Sequence, residues 1–134
     1  MDRINKLSFL KKVVSQDVLR VDLSNERINV SSTLIRYRDK DTQQIVLYIP
    51  SLDISGYGST EKRAREILLF SINEFVKHLF RLSQRQLDVE LLKLGWKQNK
   101  FISKEYAKSF VSIDGELMNF NAIDDEVEFL TIEA

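Results

Sequence analysis

The spacing of apolar residues changes character near residue 60. Upstream of it, short apolar runs alternate with turn-forming residues. Ile45-Val-Leu-Tyr-Ile49 is a run of the length and composition of a buried strand. Pro50 has no N–H for a sheet ladder, so that strand ends there or runs along an edge. The stretch from Ile28 to Tyr37 is rich in β-branched residues and partly alternates, which predicts a second strand. Asp39-Lys-Asp-Thr42 turns the chain between them, giving an antiparallel hairpin with a loop longer than two residues. Downstream, Ala64, Ile67, Leu68, Ile72, Phe75, Val76, Leu79 and Phe80 recur at helical i, i+3, i+4 spacing. A long helix is expected over about 60–82, capped by Ser59 or Thr60. Gly56 and Gly58 read as a short turn into it, glycine being free to adopt angles that other residues resist.

Ser83-Gln-Arg-Gln86 has the spacing of a capping box and predicts a shorter second helix, with Leu87, Leu91 and Leu94 as its buried stripe. Gly95 stands where a helix stops, and Trp96 follows as a ring large enough to cover the joint between helix and sheet. The ends are less regular. Residues 3–14 place Ile4, Leu7, Leu10, Val13 and Val14 on one helical face, but Val18–Leu23 already has a strand pattern, so helix and strand both stay open for 1–26. Ser24-Asn25-Glu26 is a turn signal. Past Trp96 the pattern is β-rich. Asp114-Gly115 between Phe110–Ile113 and Glu116–Phe120 predicts a hairpin, and Glu126–Ile132 a last strand.

Composition narrows the class. A chain of 134 residues, 43% hydrophobic and 30% charged, is long enough for a core and too apolar for disorder. The absence of cysteine removes disulfide and thiolate chemistry. No window approaches the roughly 20 apolar residues of a membrane span, and Met1-Asp-Arg-Ile-Asn-Lys6 has no leader pattern. A cytoplasmic protein with no membrane partner is the expectation. The formal net charge is zero but uneven: no Lys or Arg follows Lys108, whereas Asp114, Glu116, Asp124, Asp125, Glu126, Glu128 and Glu133 all lie in that acidic end. Lys93, Lys97, Lys100, Lys104 and Lys108 precede it. Solvated surface is the plain reading of both runs. The functional one makes Lys97, Lys100, Lys104, Asp124, Asp125 and Glu126 a partner surface.

The middle of the chain resembles the HicB-like antitoxin domain family. Members carry a strand ending in Tyr-x-Pro-x-Leu, a short loop to Gly-x-Thr, and a helix with Ala four residues on. Tyr48, Pro50 and Leu52 fit the first element, and Gly58, Thr60, Ala64 and Leu68 the second. The resemblance spans about residues 27–96 and departs where Asp53-Ile-Ser55 replaces the usual Pro-Gly. No DNA-binding module of the kind many members carry is recognisable after Trp96. It implies an α+β fold with an antiparallel β-β-β-α-β sheet, partial RNase H-like, one long helix packed on it and a short second helix. Residues 1–26 would be an N-terminal extension, 27–96 the core domain, and 97–134 a β-rich extension with an acidic tail. It also implies a non-enzymatic protein-binding role, antitoxin-like or that of an orphan relative, with a HicA-like toxin or another protein as partner. A homodimer is the expected assembly, because exposed strand edges and the β-rich C-terminal segment could pair between chains.

Candidate chemistry is sparse. Gly56-Tyr-Gly-Ser-Thr60 before a helix could hold a phosphate, but it lacks the Gly-Lys-Ser/Thr of a P-loop, and a turn with a cap is the simpler reading. His78 is the single histidine and has no second ligand or positioned partner in the sequence. The acidic end lacks calcium-loop spacing. No catalytic, cofactor or metal residue is therefore nominated. The lysines from Lys93 to Lys108, interleaved with Trp96, Phe101 and Tyr106, keep a nucleic-acid-binding regulator as the alternative.

Overall fold

The structure, a computed structural model, describes residues 4, 6–10, 16–109 and 128–133. Its elements in order are β1 (Ser8–Leu10), β2 (Gln16–Asp22), β3 (Arg27–Arg38), β4 (Ile45–Ile49), β5 (Ile54–Gly58), α1 (Glu61–Phe80), α2 (Gln84–Lys93), β6 (Lys97–Gln98), β7 (Glu105–Ser109) and β8 (Glu128–Glu133). The fold is α+β, with every strand pairing antiparallel. Strands drawn from 1–26, 27–96 and 97–134 all join one sheet.

Strand β3 organises that sheet. Its twelve residues pair with β8 along one edge, Ser31 to Arg36. On the other edge β2 takes Arg27–Ser31 and β4 takes Ile35–Arg38, so the sheet forks. At the fork the Asp17 carboxylate accepts from the Thr33 N–H and the Thr33 hydroxyl, both at 3.0 Å, in place of a neighbouring strand. Beyond the fork one arm runs β2-β7-β6 and the other β4-β5, while β1 lies outside β8.

The register places Leu19, Val21, Val30, Leu34, Leu47, Ile49, Ile54, Leu130 and Ile132 on one face, all buried. Helix α1 covers them with Ala64, Leu68, Ile72, Val76 and Leu79, the stripe its 3.6-residue period predicts. Thr60 caps it, accepting from the Arg63 N–H at 3.2 Å. Helix α2 opens on the expected capping box, Ser83 with Gln86. It closes on a Schellman motif: Gly95 has φ 92°, its N–H reaches the Leu92 carbonyl, and the Trp96 N–H reaches that of Leu91.

Two local expectations are corrected. The helix alternative for residues 3–14 fails at Ser8–Leu10, which is strand paired to β8. Asn73, buried in the middle of α1, accepts from the Ile4 N–H and donates to the Ile4 carbonyl, each at 2.9 Å, so its amide ties the backbone of Ile4 to the helix. Second, Gly56-Tyr-Gly58 is not a turn but strand β5, and neither glycine has a positive φ. The turn lies earlier, at 50–53, where Asp53 takes φ 53° and its N–H reaches the Pro50 carbonyl. The hairpin expected at Phe110–Phe120 lies outside the described residues, as do Asp124, Asp125 and Glu126.

Candidate functional site

Of the residues that carried the family resemblance, Gly58, Thr60, Ala64 and Leu68 lie where β5 meets α1, and Gly56 joins them there. A Cβ on Gly56 would lie 2.4 Å from the Ala64 carbonyl oxygen and 2.4 Å from the Leu68 nitrogen. One on Gly58 would lie 2.8 Å from the Arg63 side chain. The glycines thus let a strand lie directly against a helix backbone. Ala64 and Leu68, both fully buried, are the helix side of the same contact. Pro50 and Leu52 shape the β4–β5 turn, where the Tyr48 hydroxyl donates to the Asp53 carboxylate at 3.1 Å.

Beneath that turn the two arms of the sheet are tied together. The Trp96 indole N–H donates to the Ser51 carbonyl at 2.9 Å, and the Ser51 and Ser32 hydroxyls lie 3.0 Å apart. All three residues are buried, so the polar groups are satisfied by one another. Sequence reasoning assigned Trp96 to a helix–sheet joint but missed Asp17, Ser32, Thr33, Ser51 and Asn73. Asn73 alone left a signal, as a polar residue beside Ile72 and Val76 in an apolar stripe.

Helix α1 covers one face of β5, and the strand's outer rim is the place to look for a partner. Among the described residues β5 pairs with β4 alone. Its five residues, Ile54-Ser-Gly-Tyr-Gly58, carry no charge, and Ser55 and Tyr57 point to the solvent face. The other rims of the sheet differ. Strand β1 has three residues, and β6 has two, one of them Lys97. Shortness and lysine are the ordinary protections of a sheet edge, and β5 has neither.

Lys97, Lys100 and Lys104 gather on the β6–β7 hairpin, away from that rim in the strand order. Lys104 pairs with Asp22 at 3.0 Å. Hydrogen bonds from Asn25, then from Lys104, lower the Asp22 carboxyl to about 2. The aromatic partners expected for a nucleic-acid surface separate: Trp96 and Tyr106 are buried and only Phe101 is exposed. The Tyr106 hydroxyl donates to Asp88 at 2.5 Å. Burial, then that bond to a carboxylate, raises Tyr106 well above the ordinary tyrosine value of 10.0. His78 is half-exposed on α1, with Glu90 of α2 at 3.8 Å. Among the described residues no three His, Cys, Asp or Glu side chains cluster as metal ligands. An open groove of about 520 Å³ between β1 and the first turns of α1 has Arg65 stacked 4.0 Å over the Phe9 ring. Its lining mixes Lys6, Lys62 and Arg65 with Glu61 and Glu66, which selects no ligand charge.

No family model, curated protein or solved structure matches the chain.

Proposed function

We propose that the chain is a non-enzymatic, cytoplasmic protein-binding domain of HicB-like type, whose β5 rim takes up an extended strand from a partner. The observation that carries the reading is the uncharged, five-residue edge, which has one strand neighbour among the described residues. Backbone N–H and C=O groups on such a rim are a template for strand addition, and alternate side chains supply selectivity. Here those side chains are Ser55 and Tyr57, exposed beside the half-buried Tyr48 of β4. The tight β5–α1 crossing keeps the rim rigid, which lowers the ordering cost of association.

The resemblance suggests a HicA-like toxin as partner, in which case the domain is an antitoxin. An orphan relative would use the same rim on another protein or on a second copy of itself. The test is capture from native lysate with the full chain and with the Ser55→Lys variant, whose fold is checked by circular dichroism. Retention of a partner by the wild type and its loss in Ser55→Lys supports strand addition. Equal retention by the two chains, or none by either, contradicts it.

A further inference from the structure

The hairpin between β6 and β7 holds two adjacent apolar side chains outward, Phe101 at 95% exposure and Ile102 at 46%. Single exposed apolar residues are ordinary. Here, however, a dedicated hydrogen-bond frame sets the loop's shape. The Asn99 side-chain oxygen accepts from the Phe101 N–H at 2.8 Å and the Ile102 N–H at 3.2 Å. The Asn99 N–H donates to the Glu105 carbonyl at 2.8 Å, and the Glu105 N–H to the Ile102 carbonyl at 3.0 Å. The Gln98 amide donates to the Ser103 carbonyl across the loop.

The charges around this tip favour an anionic surface. Lys97 and Lys100 are exposed and, among the described residues, have no carboxylate partner. The nearby acids are already engaged, Asp22 by Lys104 at 3.0 Å and Glu105 by Arg20 at 2.9 Å. We propose that the tip docks on the surface of an anionic lipid bilayer. Phe101 and Ile102 enter the boundary between headgroups and acyl chains, and Lys97 and Lys100 meet the lipid phosphates. A nucleic acid presents phosphates too, but its bases need ring faces. Phe101 offers the one exposed face of the three aromatics in this stretch, and Ile102 adds apolar bulk that stacking does not use. The expectation of no membrane partner rested on the lack of a spanning segment, which leaves peripheral contact open. No described helix is long and apolar enough to cross a membrane, so the contact is peripheral. The proposal stands apart from strand addition at β5, which lies on the other arm of the sheet.

The experiment is sedimentation of the full chain with vesicles of phosphatidylcholine mixed with phosphatidylglycerol, and with phosphatidylcholine alone. Binding to the anionic vesicles that weakens with added salt is expected. The Phe101→Ala/Ile102→Ala double variant should bind at least about tenfold less, on the transfer free energy of the deleted side chains. Lys97→Gln/Lys100→Gln should remove the preference for anionic lipid. Both pairs are exposed, so circular dichroism should match the wild type. Failure to bind anionic vesicles at low salt, or binding indifferent to the loss of Phe101 and Ile102, overturns the proposal. So does Phe101-dependent binding to a single-stranded oligonucleotide without binding to vesicles.

Discussion

The β5–α1 crossing and the β6–β7 hairpin are built from similar material and reach opposite ends. Each sits beside a helix terminus, and each combines apolar residues with a tight connection. At the crossing the period of each element decides: Ile54, Ala64 and Leu68 face inward with the two glycines that let the backbones touch, and Tyr57 faces out with Ser55. At the hairpin Trp96 and Tyr106 face inward while Phe101 and Ile102, a few residues away, face solvent. The difference is one of period. A strand of period two laid on a helix of period 3.6 fixes which side chains are inside. A six-residue loop has no period, and its side chains follow the hydrogen bonds of Asn99 and Glu105 instead.

Substitution should separate the two regions sharply. Gly56→Val sets a branched side chain against helix backbone that cannot yield, and should cost about 3 kcal/mol or more in urea unfolding. A loss as small as that of a surface residue would mean the crossing is looser than the structure has it. Asn73→Ala strands the Ile4 N–H and C=O in a buried site and should cost about 2 kcal/mol, with faster amide exchange confined to the N-terminal segment. On the inner side of the hairpin, Tyr106→Phe removes the bond to Asp88, for a loss of about 1.5 kcal/mol at neutral pH. Because the folded Tyr106 value is raised above 10.0, its contribution is complete below that pH and fades as pH climbs beyond it. Wild type should therefore lose stability in strong alkali more steeply than Tyr106→Phe, measured by urea midpoints on either side of pH 10. Thr60→Ala takes the cap from α1 and should cost about 1 kcal/mol. At the hairpin tip, Phe101→Ala should change stability by less than about 0.5 kcal/mol, since the ring touches little.

This contrast also sets how much could be read in advance. The β3–β4 hairpin, the long helix and the capping box rest on local patterns, and their positions agree with the spacing of Ile28–Tyr37, Ala64–Phe80 and Ser83–Gln86. Gly56 and Gly58 were legible as special positions for the wrong reason, because close approach and unusual backbone angles both call for glycine. Contacts between distant segments left almost no trace. Asp17 meets Thr33 only because β2 and β4 succeed one another along β3, and Asn73 meets Ile4 across 69 positions of chain. The candidate partner surface shared the difficulty. Lys97, Lys100 and Lys104 were found as a charge run, but nothing in their spacing told which neighbouring aromatics would be buried. The uncharged character of β5 could be read from Ile54–Gly58, whereas its place on the rim of the sheet could not.

Amide hydrogen exchange of the free chain and of its complex with a captured partner tests the role of β5 most directly. Strand addition predicts that exchange slows within Ile54–Gly58 on binding while the centre of α1, already protected, changes little. Unchanged exchange in β5, with new protection appearing elsewhere, would contradict the account.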